Sequence, residues 1–176
     1  VFVTLMAIAI LLAVALPCAY VLSRFSFRGR GIIKALFMGG LFINVSYIVV
    51  PIFLMLVGLN RSLQVTFFLN NHFVLALVYA STALPFTIYL LQSYFATLPR
   101  AYEEAAYVDG CSPFRTMLQI MVPMARPSII TVILFNFLSF WNEYIIALTF
   151  MTDDVMKTLP VGLMNLMKAQ NAAAQY

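Results

Sequence analysis

Four long apolar runs, at 1–22, 32–57, 72–95 and 128–150, set what this chain can fold into; the first of them holds no charged residue at all. At 1.5 Å per residue a helix of that length reaches about 33 Å, enough to cross a hydrocarbon layer of about 30 Å. Inside such a layer each backbone N–H and C=O must be satisfied within its own segment, so the runs are predicted to be transmembrane helices. Composition agrees: 64% of the 176 residues are hydrophobic and 9% are charged, too few polar groups to coat a soluble fold of this size. The expected architecture is an all-α, polytopic membrane bundle of about four transmembrane helices. Its net charge of +4 then points to anionic lipid headgroups and membrane orientation, and no nucleic-acid partner is expected.

Charge in the connections orders the runs across the bilayer. Arg24, Arg28, Arg30 and Lys34 follow the first run with no acid among them, which puts that loop on the cytoplasmic side. Residues 58–71 carry Arg61 as their only formal charge and are expected outside, the loop 97–127 inside and the tail 151–176 outside. Pro17 and Pro85, inside the first and third runs, are expected to bend them. Asn44, inside the second, reads as glue between helices or as part of a transport path. In the tail, Leu163, Leu166 and Met167 have helical spacing after Pro160, consistent with a short interfacial helix. The chain starts inside an apolar run without Met, as a fragment or trimmed domain would, and Cys18 and Cys111 read as free thiols.

Several chemistries have no representative here. The sequence lacks a G-x-x-x-x-G-K-[ST] phosphate loop, an H-E-x-x-H pair and a G-x-S-x-G elbow, and His72 is its only histidine. No catalytic residue, metal site or bound cofactor is therefore expected on this chain. If it uses nucleotide energy, another chain must bind the nucleotide.

The polar stretch 98–127 holds three of the six acidic residues, Glu103, Glu104 and Asp109. Its punctuation predicts two short helices. Pro99 suits a first helical turn, the glutamates suit the N-terminal half of the helix, and Gly110 supplies a left-handed end. Ser112 and Pro113 restart the chain as N-cap and first helical residue, and the second helix is expected to stop at or just before Pro123. Ala105 and Ala106 form a small-residue patch between acids, a composition that fits docking into a groove. A folded connector with no partner fits it as well.

Glu104-Ala105-Ala106, then Gly110, then Ile120, Val122 and Pro123 closely resemble the EAA loop of binding-protein-dependent ABC importer permeases. Val122 stands where that pattern usually has Leu. Phe140 to Tyr144 (FWNEY), Ala147 to Phe150 (ALTF) and Thr158 to Leu163 (TLPVGL) look like the carbohydrate-uptake, maltose-type branch. The resemblance implies a type I ABC importer permease fold formed as one domain over 1–176, lacking the family's first and last membrane helices. It implies a bacterial or archaeal cytoplasmic membrane, a second permease subunit, and an extracytoplasmic solute-binding protein that docks near the tail. A cytoplasmic ATPase dimer would hold ATP and magnesium. Glu103, Glu104, Ala105, Ala106, Gly110, Ile120 and Pro123 become the ATPase-coupling residues, with Gly110 as pivot.

Glu143 is the one carboxylate within a membrane run, flanked by Trp141, Asn142 and Tyr144. Lodging a charge at a helix centre costs at least about 2.5 kcal/mol, less towards the outer part where this one lies. Two readings stay open: a polar lining of a sugar path, or a structural hydrogen bond. Trp141 and Tyr144 could stack on a sugar or belong to an interfacial aromatic belt. An importer for a non-sugar solute such as glycerol phosphate or a polyamine is the nearest alternative. A secondary transporter is further off, since it would need several intramembrane acids.

Overall fold

The computed structural model describes residues 1–63, 68, 70–150, 162 and 167. Every regular element among them is helical: α1 Phe2–Arg24, α2 Arg30–Gly40, α3 Val45–Leu63, α4 His72–Thr97, α5 Ala101–Val108, α6 Pro113–Thr116, a π-helical turn Met117–Met121, α7 Val122–Met124, α8 Arg126–Trp141 and α9 Ile145–Phe150. Of the interfacial helix expected in the tail, Met167 is helical and exposed, and Leu163 and Leu166 lie outside the described residues.

The bundle is built on α1 and α4. Ala7, Leu11, Ala15 and Ala19 recur every four residues along one face of α1 and are all buried. Small residues at that spacing let a neighbouring backbone come close, which is how helices associate where lipid removes the hydrophobic drive. α4 answers with Leu75, Ala76, Tyr79, Ala80, Leu91 and Phe95, also buried. Two apolar clusters stack along this pair. One gathers Val3 to Leu11, Val74 to Ala80, Phe140 and α9. The other gathers Ala15 to Leu22, Ile88 to Phe95, Met117, Met121 and Val132. α1 and α4 therefore run parallel and α8 runs against them, the order that alternating membrane crossings require. A polar bond joins α8 to α4: buried Asn136 donates through Nδ2 to Thr87 Oγ1 at 3.2 Å and to its own helix at Val132 O, 2.8 Å.

Among the described residues, only α1 and α4 are both long and apolar enough to cross a bilayer unbroken, with a third span if Pro113–Met124 and Arg126–Trp141 count as one bent segment. The all-α bundle is as expected, and of the about four transmembrane helices anticipated the described residues hold two, or three with the bent pair. The second run divides into α2 and α3 around residues 41–44, where Leu41, Phe42 and Ile43 donate to carbonyls three residues back. The cause is Gly39-Gly40, since each glycine costs roughly 1 kcal/mol relative to alanine inside a helix. Asn44 sits exposed in that break, outside any helix interior. The fourth run divides into α8 and α9, where Asn142 turns its side chain back onto Leu138 O at 2.9 Å and so competes with helix continuation. α1, α3 and α4 all continue through their internal prolines, Pro17, Pro51 and Pro85.

Gly40 has a second role. A Cβ there would stand 3.0 Å from Pro85 Cγ and 3.2 Å from its Cβ, so α2 can lie against α4 only because residue 40 has no side chain. Gly40→Val is expected to cost about 1–3 kcal/mol by overpacking. The check is a lowered thermal midpoint in detergent, with Gly39→Val, which meets nothing within 4 Å, as the milder control.

Candidate functional site

The loop between α4 and α8 forms a compact unit held by local chemistry. α5 ends in a Schellman turn: Cys111 N–H donates to Ala106 O at 2.9 Å and Gly110 N–H to Tyr107 O at 3.1 Å, with Gly110 at φ +78°. That left-handed conformation is the one a glycine adopts without a Cβ clash. Ser112 caps α6, its Oγ accepting from Arg115 N at 3.3 Å, and Pro113 takes the first helical position. α5 begins at Ala101 with Arg100 as N-cap, so Pro99 lies just outside the helix it was expected to open.

Pro123 does not end the second helix, contrary to expectation. Val122 N–H reaches back five residues to Met117 O, widening the turn just ahead of the proline. A π turn relieves the clash of the proline ring with the carbonyl four residues back and absorbs its missing donor. The helix continues to Met124 and then bends by 74° into α8.

The two glutamates of α5 differ in burial: Glu103 is buried and Glu104 exposed. Glu103 turns inward: Tyr20 Oη donates to its Oε1 at 2.8 Å, and Arg24 Nε lies 3.3 Å from its Oε2, with the two charged side chains only 6% and 9% exposed. The same guanidinium donates through Nη2 to Leu98 O at 2.7 Å. Breaking a buried ion pair by removing one partner typically costs about 3–5 kcal/mol, because the other charge is stranded. Arg30 completes the junction by donating to Leu22 O and Ser23 O, both at 2.9 Å, carbonyls of the last turn of α1.

Glu104 and Ala105 face out, Ala106 is buried, Gly110 is exposed, and Ile120 and Pro123 are half-buried. Val108 and Phe114, on either side of the turn, are 88% and 67% exposed. Large apolar side chains so displayed at a polar tip mark an interaction surface. Reading the sequence alone missed them, although a Val and a Phe flanking D-G-C-S-P were the available signal. A pocket of about 230 Å³ opens at the junction of α1 and α5, lined by Arg24, Phe25, Arg100, Glu103, Glu104 and Tyr107.

At the opposite end of the bundle Glu143 occupies the break between α8 and α9. Its Oε1 accepts from Ile146 N–H at 3.0 Å, so the carboxylate caps α9 and offsets the helix dipole there. It also lines a small cavity of about 90 Å³ shared with Tyr79, Thr82, Ser139 and Phe140, where Tyr79 stacks on Phe140 at 5.3 Å. Trp141 stacks on Phe137 at 5.7 Å, Tyr144 packs against the apolar cluster around α9, and Asn142 is exposed. Only Glu143 of these four lines the cavity; Tyr79, Thr82 and Ser139 had given no signal in the sequence.

The sequence profile described as binding-protein-dependent transport system inner membrane component matches residues 3–175. The chain belongs to this family. Similar curated proteins include the probable ABC transporter permease protein YurM of Bacillus subtilis, 35% identical over 96% of this chain and 54% of its own length. The diacetylchitobiose uptake system permease protein NgcG of Streptomyces coelicolor is 38% identical over 93% and 52%. The trehalose/maltose transport system permease protein MalG of Thermococcus litoralis is 33% identical over 82% and 50%. The chain thus spans about half the length of the curated relatives it matches. Among solved structures, a bacterial ABC transporter involved in the import of the acidic polysaccharide alginate superposes with a TM-score of 0.75 at 26% identity, over 93% of this chain and 54% of that one.

For a member of this family the cap on α9 has a measurable share of stability. Glu143→Ala is expected to cost about 0.5–2 kcal/mol, read as a lower thermal midpoint, whereas Glu143→Gln keeps an acceptor for Ile146 N–H and loses a fraction of that.

Proposed function

We propose that the chain is the central part of a permease subunit of an ATP-driven, binding-protein-dependent importer of sugars or oligosaccharides, and that α5 to α7 is its coupling element. The observation that carries this reading is the tip around Gly110: a two-helix unit matching the family's E-A-A…G pattern, tied to the bundle through Glu103 and displaying Val108 and Phe114 to solvent. In this reading Glu104, Ala105, Val108, Gly110 and Phe114 form the face that seats in a cytoplasmic ATPase subunit. Ala106, Ile120 and Pro123 hold that face to the bundle.

ATP and magnesium belong to the ATPase dimer, and this chain contributes no catalytic group. A second permease subunit completes the pathway, and an extracytoplasmic solute-binding protein delivers the solute. The coupling loop is cytoplasmic, consistent with Arg24, Arg28, Arg30, Lys34, Arg100, Arg115 and Arg126 all lying in or beside the two loops at one side. Carbohydrate is the favoured cargo because relatives matching most of this chain are named for diacetylchitobiose and for trehalose and maltose.

When the ATPase dimer closes, the seated tip moves with it. The helix leaving the tip continues through Pro123 to Met124 and meets α8 across the single turn residue Ala125, so the displacement reaches a membrane helix through a one-residue bend. At the far end the break at 142–144 lines the solute path, with Glu143 accepting from sugar hydroxyls and the neighbouring aromatic rings offering stacking faces.

Gly110→Asp in the full-length transporter is expected to leave membrane insertion intact and to abolish ATP-driven uptake. A side chain there costs about 1–2 kcal/mol in the left-handed conformation and re-aims α6. Normal uptake by proteoliposomes carrying this variant would sink the coupling assignment. For the path, Glu143→Gln should raise the half-saturating solute concentration about tenfold, the worth of one charge-assisted hydrogen bond; unchanged affinity and rate would leave Glu143 as a cap alone.

A further inference from the structure

We propose that Tyr20, Arg24 and Glu103 form the mechanical joint that carries movement of the coupling tip into α1 as well as α8, with Glu103 acting as a positioning residue that never touches the ATPase. This rests on the coupling role assigned above to α5 to α7.

Consecutive residues on a helix point about 100° apart, and α5 uses that offset to separate two tasks. Glu104 looks out at the docking side, and Glu103 is turned into the bundle, where both of its oxygens are engaged. The partners come from the last turn of α1. Arg24 also holds Leu98 O, the residue just past the end of α4. One guanidinium therefore gathers three elements: the end of α1, the end of α4 and the first turns of α5.

α5 has eight residues, too few to be stable as an isolated helix, and only Glu103 and Ala106 of it are buried. With so little apolar attachment, directional polar contacts decide how α5 sits. Without them a push on the tip would flex the three-residue link 98–100. With them the push is passed to α1, which packs on α4 along the bundle. An exposed ion pair would slip under such a load, being weak and screened; a buried pair with a hydroxyl and a carbonyl fixed to it holds one geometry.

The test removes the tie without stranding a charge. The triple variant Tyr20→Phe/Arg24→Met/Glu103→Met replaces the buried polar set with apolar groups of similar volume, an exchange that buried ion pairs commonly tolerate. It is compared with the unaltered full-length transporter, assembled with its ATPase in proteoliposomes. The expected result is retained ATPase binding and ATP hydrolysis, with solute taken up per ATP hydrolysed lowered roughly tenfold. Tyr20→Phe alone, which buries no unpaired charge, should give a smaller fall in the same ratio and guards against a triple variant that does not fold. Unchanged uptake per ATP in the triple variant would overturn the joint. So would loss of ATPase binding by a folded triple variant, because Glu103 would then belong to the docking face. Gly110→Asp run alongside separates the two levels: if it transports normally the coupling role itself is wrong, and if it is inactive while the triple variant transports normally, only the joint falls.

Discussion

The pairing of Arg24 with Glu103 is the constraint on which the loop end of this molecule depends. Lipid-facing helices can slide and rotate on one another at little cost, since apolar side chains meet hydrocarbon on either side of the contact. A buried ion pair with a tyrosine hydroxyl and a backbone carbonyl attached has one good geometry and many poor ones. It therefore sets how far the end of α1 lies from α5 and which face α5 turns outward. The outward turn of Glu104 and the pocket that Arg24, Glu103 and Glu104 line together follow from that setting. At the other end, among the described residues, Glu143 bonds within its own turn, Asn70 N–H donates to Phe150 O at the end of α9, and packing of aromatic rings does the rest.

Local punctuation was legible in the chain. Gly110 and the Ser112-Pro113 pair each act over a few residues, and the geometry found at each is the one their chemistry dictates: a Schellman turn and an N-cap. The apolar runs and their alternating direction were legible too, because both depend on composition averaged over about twenty residues. What could not be read were effects in which one residue's chemistry is decided by another far away. Tyr20 and Glu103 are 83 positions apart, Asn136 and Thr87 are 49 apart, and no periodicity connects either pair. Glu103 illustrates the difference. Its neighbour in sequence made it look like part of a docking face, and its neighbours in space make it part of the bundle.

The broken runs were misread for a related reason. Hydropathy averages over a window, so a Gly39-Gly40 pair or an Asn142 inside an apolar stretch changes the mean very little. Each nonetheless removes the local preference for helix, through backbone freedom in one case and a competing side-chain hydrogen bond in the other. Such breaks at membrane depth are tolerated where the freed backbone groups are satisfied by protein or face a cavity. The break at 142–144 meets that condition twice, with Asn142 and Glu143 bonded to nearby backbone and a small cavity beside them.

Pro123 shows how a residue that ought to interrupt the chain comes to join two parts of it. A proline in an ordinary α-helix kinks or ends it; here the π turn immediately before it widens the ladder, so helical structure runs from Pro113 to Met124 before bending by 74° into α8. A loose loop at that point would let the tip and the membrane helix move independently. A single turn residue, Ala125, separates α7 from α8, and hydrogen bonding spans the bend: its N–H donates to Met121 O and its own carbonyl accepts from Ile129 N–H, both at 3.0 Å. On the α5 side, where helical structure is interrupted at 98–100, the buried pair on Glu103 ties α5 to the end of α1. The tip is thus joined to the bundle on one side through the bend at Ala125 and on the other through the link 98–100, which the Arg24–Glu103 pair braces.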